Sequence, residues 1–195
     1  MRFRRKDWLF HCLAPVYDYL IPRPQANRLK ELLNLPPNGY LLDAGGGTGR
    51  VSSLLASLAA HVTVCDINRS MLKKARRKKR LLPLQADAAR LPFAEDTFDG
   101  VLVIDALHHF LKPHDAIREM MRVLKPGGRL LIEEQDIERH PIKLVQFLER
   151  RVGLHSRFLT LEEIRALFHS TSHTLELMTG DFFAFRVLVH KRREP

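Results

Sequence analysis

With 195 residues, 45% apolar and 28% charged, the chain has the size and balance of one globular domain that buries a single core. A net charge of +10 makes it strongly basic, and two cysteines exclude a disulfide-built scaffold. No apolar stretch reaches the roughly 18 residues that a bilayer-spanning helix needs.

The chain opens on a basic stretch (Arg2, Arg4, Arg5, Lys6) followed by Trp8-Leu9-Phe10. His11 and Cys12 interrupt this run and no small-residue cleavage site follows, so a signal peptide is not expected. Cys65 falls in an apolar strand pattern and reads as a small core residue, which fits a reducing cytoplasm. Residues 1–22 form an N-terminal segment that ends in the turn Ile21-Pro22-Arg23-Pro24. Residues 25–35 carry leucines at helical spacing, and Pro36-Pro37-Asn38-Gly39 ends them.

Short apolar runs then alternate with longer amphipathic ones. Strands are predicted at 40–43, 61–65, 81–85, 98–104 and 128–133, with helices near 49–59, 69–79 and 113–124. This alternation predicts parallel strands joined by helical crossovers. Val101-Leu102-Val103-Ile104 is apolar throughout, as a strand covered on both faces requires. Residues 135–159 are mixed, with a helix expected near 141–151. Thr160-Leu161-Glu162-Glu163 reads as an N-cap with an acidic first turn, opening a helix to about residue 169. The runs 174–178 and 182–189, split by Thr179-Gly180-Asp181, predict an antiparallel hairpin. The expected fold is α/β, Rossmann-like and doubly wound: a mostly parallel sheet with an antiparallel terminal hairpin and helices on both faces.

The most telling segment is Leu41-Leu42-Asp43-Ala44-Gly45-Gly46-Gly47-Thr48-Gly49-Arg50. It reads as a buried strand ending at an acid, a glycine turn, and a helix start whose N–H groups are free. Glycine suits a turn that a ligand approaches, because it accepts positive φ and has no Cβ. Asp66, about twenty residues on, is placed to accept from ribose hydroxyls. An alternative role for Asp66 is to cap the helix that follows. A dinucleotide site would prefer Gly-x-Gly-x-x-Gly, and Arg50 stands where its third glycine belongs.

Several motifs in order resemble the class I S-adenosylmethionine-dependent methyltransferases, and within them the ubiquinone/menaquinone biosynthesis C-methyltransferase group. They are the glycine turn, 62–72 around Asp66, Gln85-Ala86-Asp87-Ala88 with Leu91-Pro92-Phe93, Phe98-Asp99-Gly100-Val101 to Phe110, and Arg122-Val123-Leu124-Lys125-Pro126-Gly127-Gly128. Residues 10–18 resemble the segment that covers the cofactor in that family. The resemblance implies a seven-stranded sheet with S-adenosylmethionine, and its product S-adenosylhomocysteine, across the carboxyl ends of the strands. It divides residues 1–195 into a helical lid segment (1–35), a cofactor-binding core (38–134), a substrate-side insertion (135–159) and a C-terminal helix and hairpin (160–195).

On that resemblance Asp43 orients the glycine turn near the methionine ammonium, and Gly45, Gly46, Gly47 and Gly49 form the turn. Asp66 takes the ribose hydroxyls, and Asp87, with the Ala88 backbone, takes the adenine amino group. Ile67 and Leu91 sandwich the adenine ring, and Asp105 follows the fourth strand where sulfonium and acceptor meet; its alternative is a local cap. His108 and His109 are candidate bases because imidazole titrates near neutrality. Two adjacent histidines do not make a metal site without further ligands, and no metal is expected. Tyr17 is a candidate lid residue. Glu133, Glu134, Gln135 and Asp136, at the exit of the fifth strand, are candidates to line the acceptor pocket.

The expected acceptor is a small molecule or a quinone- or lipid-like ring. No Asn-Pro-Pro-Tyr type motif follows the fourth strand, where Ile104-Asp105-Ala106-Leu107-His108 stands instead. Seven cations within 73–80, with further clusters at 2–6 and 191–193, form a solvated face or meet anionic membrane or RNA. An RNA methyltransferase using the 73–80 run and a non-catalytic S-adenosylmethionine-binding protein are therefore the alternatives. No aromatic residue interleaves that run, as a single-strand binder would prefer.

Overall fold

The computed structural model describes residues 25–136, 157–168, 173–180 and 184–193. Helix α1 (Ala26–Leu33) buries Leu29, Leu32 and Leu33, and Asn34 closes it in the left-handed region at φ 42°. Seven strands follow: β1 (Tyr40–Ala44), β2 (His61–Asp66), β3 (Leu81–Gln85), β4 (Phe98–Ile104), β5 (Leu124–Gln135), β6 (His173–Thr179) and β7 (Ala184–Lys191). They form one sheet in the order β3-β2-β1-β4-β5-β7-β6. Strands β1 to β5 pair in parallel, and β7 returns antiparallel between β5 and β6. The connections are α2 (Ser52–Leu55), α3 (Arg69–Ala75), a 3-10 turn (Leu107–His109), α4 (Pro113–Val123) and α5 (Leu161–Arg165).

The predicted strands and terminal hairpin agree with this sheet, while three predicted helices are shorter, the one expected to reach about residue 169 ending at Arg165. The helix expected over 49–59 is regular only over Ser52–Leu55. Gly49 at φ 68° delays its start, and bonds from Leu54 N–H to Val51 and from Leu58 N–H to Leu55 tighten both ends to the 3-10 pattern. The helix expected over 69–79 ends at Ala75, where Arg77 and Lys78 make the same tight bonds and Arg80 sits at φ 65°. Consecutive cations repel one another there, which weakens a further helical turn. Thr160 does cap α5, through a reciprocal box with Glu163. The helix expected near 141–151 lies outside the described residues.

Each sheet face carries its own core. Leu130, Ile132, Val187 and Val189 pack under α4 through Ala116, Ile117, Met120 and Val123. Leu41, Leu102, Leu131 and Leu188 pack under α1 and α2 on the other face. Strand order reverses between β1 and β4, whose crossovers leave in opposite directions. The crevice this opens at the carboxyl ends is where open α/β sheets take ligands.

Candidate active site

A cavity of about 260 Å³ fills that crevice, lined from the ends of β1, β2, β3 and β4 in turn. From β1 come Asp43, Gly45, Gly46, Gly47, Thr48, Arg50 and Val51; from β2, Cys65, Asp66, Ile67, Asn68 and Met71. After β3 come Ala86, Asp87 and Ala88; after β4, Ile104, Asp105, Ala106 and His109 to Lys112.

The glycine turn serves several steric ends. Gly45 (φ 76°) lies where a Cβ would come 2.7 Å from Ala106 Cβ, so it lets β1 and β4 loops approach. A Cβ on Gly46 would meet the Asp43 carboxyl at 2.5 Å. At Gly47 (φ 54°) the nearest atom to such a Cβ is Asp66 Oδ2 at 3.7 Å, so this position opens on the cavity. Gly49 does not line the cavity; its Cβ would meet Leu81 Cδ1 at 2.5 Å. Gly49→Ala is therefore expected to cost about 1–2 kcal/mol from left-handed backbone alone, read as a lowered thermal midpoint.

Asp66 accepts from Asn68 N–H at 2.6 Å through Oδ1 and from Gly47 N–H at 2.9 Å through Oδ2. It thus ties the β2 exit to the glycine turn. Burial pushes its pKa up, opposed by the N–H groups of Asn68, Gly47 and Ile67. The cap of α3 is Asn68, whose Oδ1 accepts from Ser70 and Met71 N–H, so Asp66 is spared that role. Asp43 is buried and accepts from Ser52 Oγ. Burial raises its pKa to about 6, against the Ser52 hydrogen bond and the nearby Arg50 charge.

Asp105 takes the left-handed backbone at φ 51°. Its Oδ1 accepts from Gln135 Nε2 at 2.9 Å, and its Oδ2 lies 3.6 Å from the Arg50 guanidinium. Burial pushes its pKa up. Asp87 accepts from Ala89 N–H at 2.9 Å and, with Ala88, lines the cavity. Ile67 lines the mouth and is 64% exposed. Leu91 is not beside it: Leu91 is buried in the core, its backbone held by Glu119 and Arg122 of α4. The expected sandwich of Ile67 and Leu91 is therefore not formed, and Met71 and Phe110 are among the other apolar walls.

The two histidines part company. His109 lines the cavity, whereas His108 is 6% exposed and does not. His108 Nδ1 lies 2.5 Å from Glu134 Oε2, and its ring stacks on Phe158 at 4.4 Å and meets the His109 ring at a tilt of 53° and 4.0 Å. Glu134 Oε1 also accepts from Ala106 N–H at 3.0 Å and Leu107 N–H at 2.6 Å, so one buried carboxylate caps the 3-10 turn and fixes His108. None of Glu133 to Asp136 lines the cavity; Gln135 acts through Asp105, and Glu133 pairs with Arg186 of β7. Tyr17 lies outside the described residues. Sequence reasoning missed Arg50 as a cavity residue, although its place directly after the last turn glycine was a signal. It also missed that Glu134 holds a loop. Among the described residues, no cluster of His, Cys, Asp and Glu is grouped to hold a metal ion.

Residues 42–132 match a family model described as a methyltransferase domain. Over this core, which carries the sheet switch point and the cavity, the chain is therefore similar to methyltransferase domains. Among curated proteins it is similar to the ubiquinone/menaquinone biosynthesis C-methyltransferase UbiE of Ectopseudomonas mendocina, at 38% identity over 145 residues, 65% of this chain and 56% of that one. It is also similar to the demethylmenaquinone methyltransferase of Clavibacter sepedonicus, at 39% over 110 residues, 54% of this chain and 44% of that one. The chain thus spans about half the length of these relatives. Among solved structures the [4+2]-cyclase SpnF superposes with a TM-score of 0.78 at 16% identity, covering 97% of this chain and 96% of that one. At that identity the likeness is one of fold.

Proposed function

We propose that this protein transfers the methyl group of S-adenosylmethionine to a small acceptor of quinone- or lipid-like character. The observation that carries the reading is the convergence of four carboxylates, Asp43, Asp66, Asp87 and Asp105, on one cavity beside a glycine turn. That set of acceptors fits a ligand rich in hydroxyl, amino and cationic groups. Asp66 would hold the ribose, Asp87 and the Ala88 backbone the adenine, and Asp43 the ammonium. Gly45 and Gly47 would let the ligand meet bare backbone, with Ile67, Met71 and Phe110 against its rings. The similarity to quinone-methylating relatives and the apolar walls support the acceptor class.

When bound, the cofactor supplies an electrophilic methyl on a good leaving group. What the chain must add is alignment and exclusion of water. Asp105, fixed by Gln135 and Arg50, would present its carboxylate to the sulfonium end. A phenol-like or activated-carbon acceptor starts protonated and needs a base. His109 is the histidine placed for that, and His108 with Glu134 positions it.

His109→Ala is expected to lower turnover of a demethylated quinol about 100-fold or more. S-adenosylmethionine affinity should stay near that of the parent. Full rate in this variant removes His109 from the reaction. Titration calorimetry with S-adenosylmethionine and S-adenosylhomocysteine, with NAD as control, tests the class. Binding of both sulfur ligands without turnover of any quinol would favour the non-catalytic reading.

A further inference from the structure

The parallel sheet has two ends, and the cavity occupies only the carboxyl one. Helix α3 leaves the top of β2 and descends, so Arg76, Arg77, Lys79 and Arg80, all exposed, turn at the amino end before β3. Strand β7 runs antiparallel to β5, so its last residues reach the same end: His190 pairs with Arg129, and exposed Arg192 and Arg193 lie beyond. Arg193 is seated over the first residues of β5, with its Nε 2.8 Å from where a Gly127 Cβ would be. Two basic clusters more than 110 positions apart in sequence thus share one end of the sheet.

Between them stand the first residues of β2 and β1. Tyr40 and His61 are register partners whose rings stack at 5.0 Å and 24°. Tyr40 is 42% exposed and His61 is exposed, and the Lys125 ammonium lies 5.5 Å from the Tyr40 ring. The acids nearby are already engaged, Asp99 with Lys125 at 2.9 Å and Asp96 with Lys191 at 2.8 Å. From β3 to β5 is four strand spacings, about 20 Å. The aromatic platform missing from the 73–80 run is supplied across the sheet by strand pairing.

We propose that this end of the sheet is a binding face for single-stranded nucleic acid, with the two arginine clusters on phosphates and the His61–Tyr40 pair as a base-stacking platform. Cationic tracks flanking an aromatic platform are the usual arrangement for such ligands. The face points away from the cavity, so the strand it holds is a partner and not the methyl acceptor. A purely anionic membrane would need the cations but not the stacked rings.

The test is fluorescence anisotropy of a labelled 12-nucleotide RNA with the whole chain. About five phosphate contacts predict an affinity loss of roughly 100-fold between 50 and 200 mM salt. Reversal of Arg76, Arg77 and Arg80 to Glu, and separately of Arg192 and Arg193, should each weaken binding and flatten that slope. Tyr40→Ala should weaken it about 10-fold with the slope unchanged. Thermal unfolding confirms that each variant is folded. Binding that survives both reversals, absence of RNA binding, or binding to phosphatidylglycerol vesicles but not RNA would each overturn the proposal.

Discussion

Replacing Asp66 by alanine is expected to weaken S-adenosylmethionine binding by about 1–3 kcal/mol, the loss that follows removal of a buried charged partner. The effect has two sources. One is the loss of an acceptor for ribose hydroxyls. The other is release of the Gly47 N–H, which Asp66 holds at 2.9 Å and which keeps the glycine turn against β2. Asp66→Asn separates them, since it keeps one acceptor oxygen but places an amide donor against Gly47 or Asn68. Calorimetry should rank parent, Asn and Ala in falling order of affinity. A folded Asp66→Ala protein with parental affinity would remove this residue from the ligand site.

Asp43→Asn is expected to stabilise the ligand-free protein at neutral pH while weakening cofactor binding. Asp43 is 2% exposed, and burial lifts its pKa from 3.8 to about 6. Between those values the folded chain keeps a proton that the unfolded chain has shed. Stability therefore falls as pH rises through this window and levels off above pH 6. The difference corresponds to about 3 kcal/mol at neutral pH. Asparagine cannot ionise and can still accept from Ser52 Oγ, so the variant should melt higher at pH 7 and show less slope from pH 4 to 6. Asp66 and Asp105 also have raised pKa values and stay in both proteins, so the difference between the two curves reports Asp43 together with its repulsion of Asp66. A variant that melts lower at pH 7 would mean that the carboxylate is held for structure. Stability given up at a cavity carboxylate is the signature of a group kept for its charge.

The sheet was legible because periodicity reports burial directly. The apolar run 101–104 is a central strand, and β6 ends at Thr179 before β7 opens at Ala184. Helix lengths were less so, because tight 3-10 bonds around Leu54, Leu58 and Arg77 leave no mark on an apolar pattern. In the site, the lining residues at the ends of β1, β2 and β3 were legible, since Asp43 to Gly47, Asp66, Ile67, Asp87 and Ala88 lie within three positions of a strand end. What failed were roles set by distant neighbours. Leu91 is drawn into the core by Glu119 and Arg122, 28 and 31 positions away. Gly49 is small because Leu81 crosses it. Glu134 selects between two adjacent histidines from a neighbouring strand, which spacing along the chain cannot express.

The cavity has one wall held fast and another left loose. Asp105 to His109 hang from Glu134, Gln135 and the β5 backbone, whereas Ile67 and Leu111 at the mouth are 64% and 69% exposed. Substitution at such exposed positions usually changes stability by less than about 0.5 kcal/mol. Lineages can therefore rewrite the doorway without endangering the chemistry behind it. The mouth of such a cavity is cheap to alter, while the wall behind it is fixed by its own interlocking.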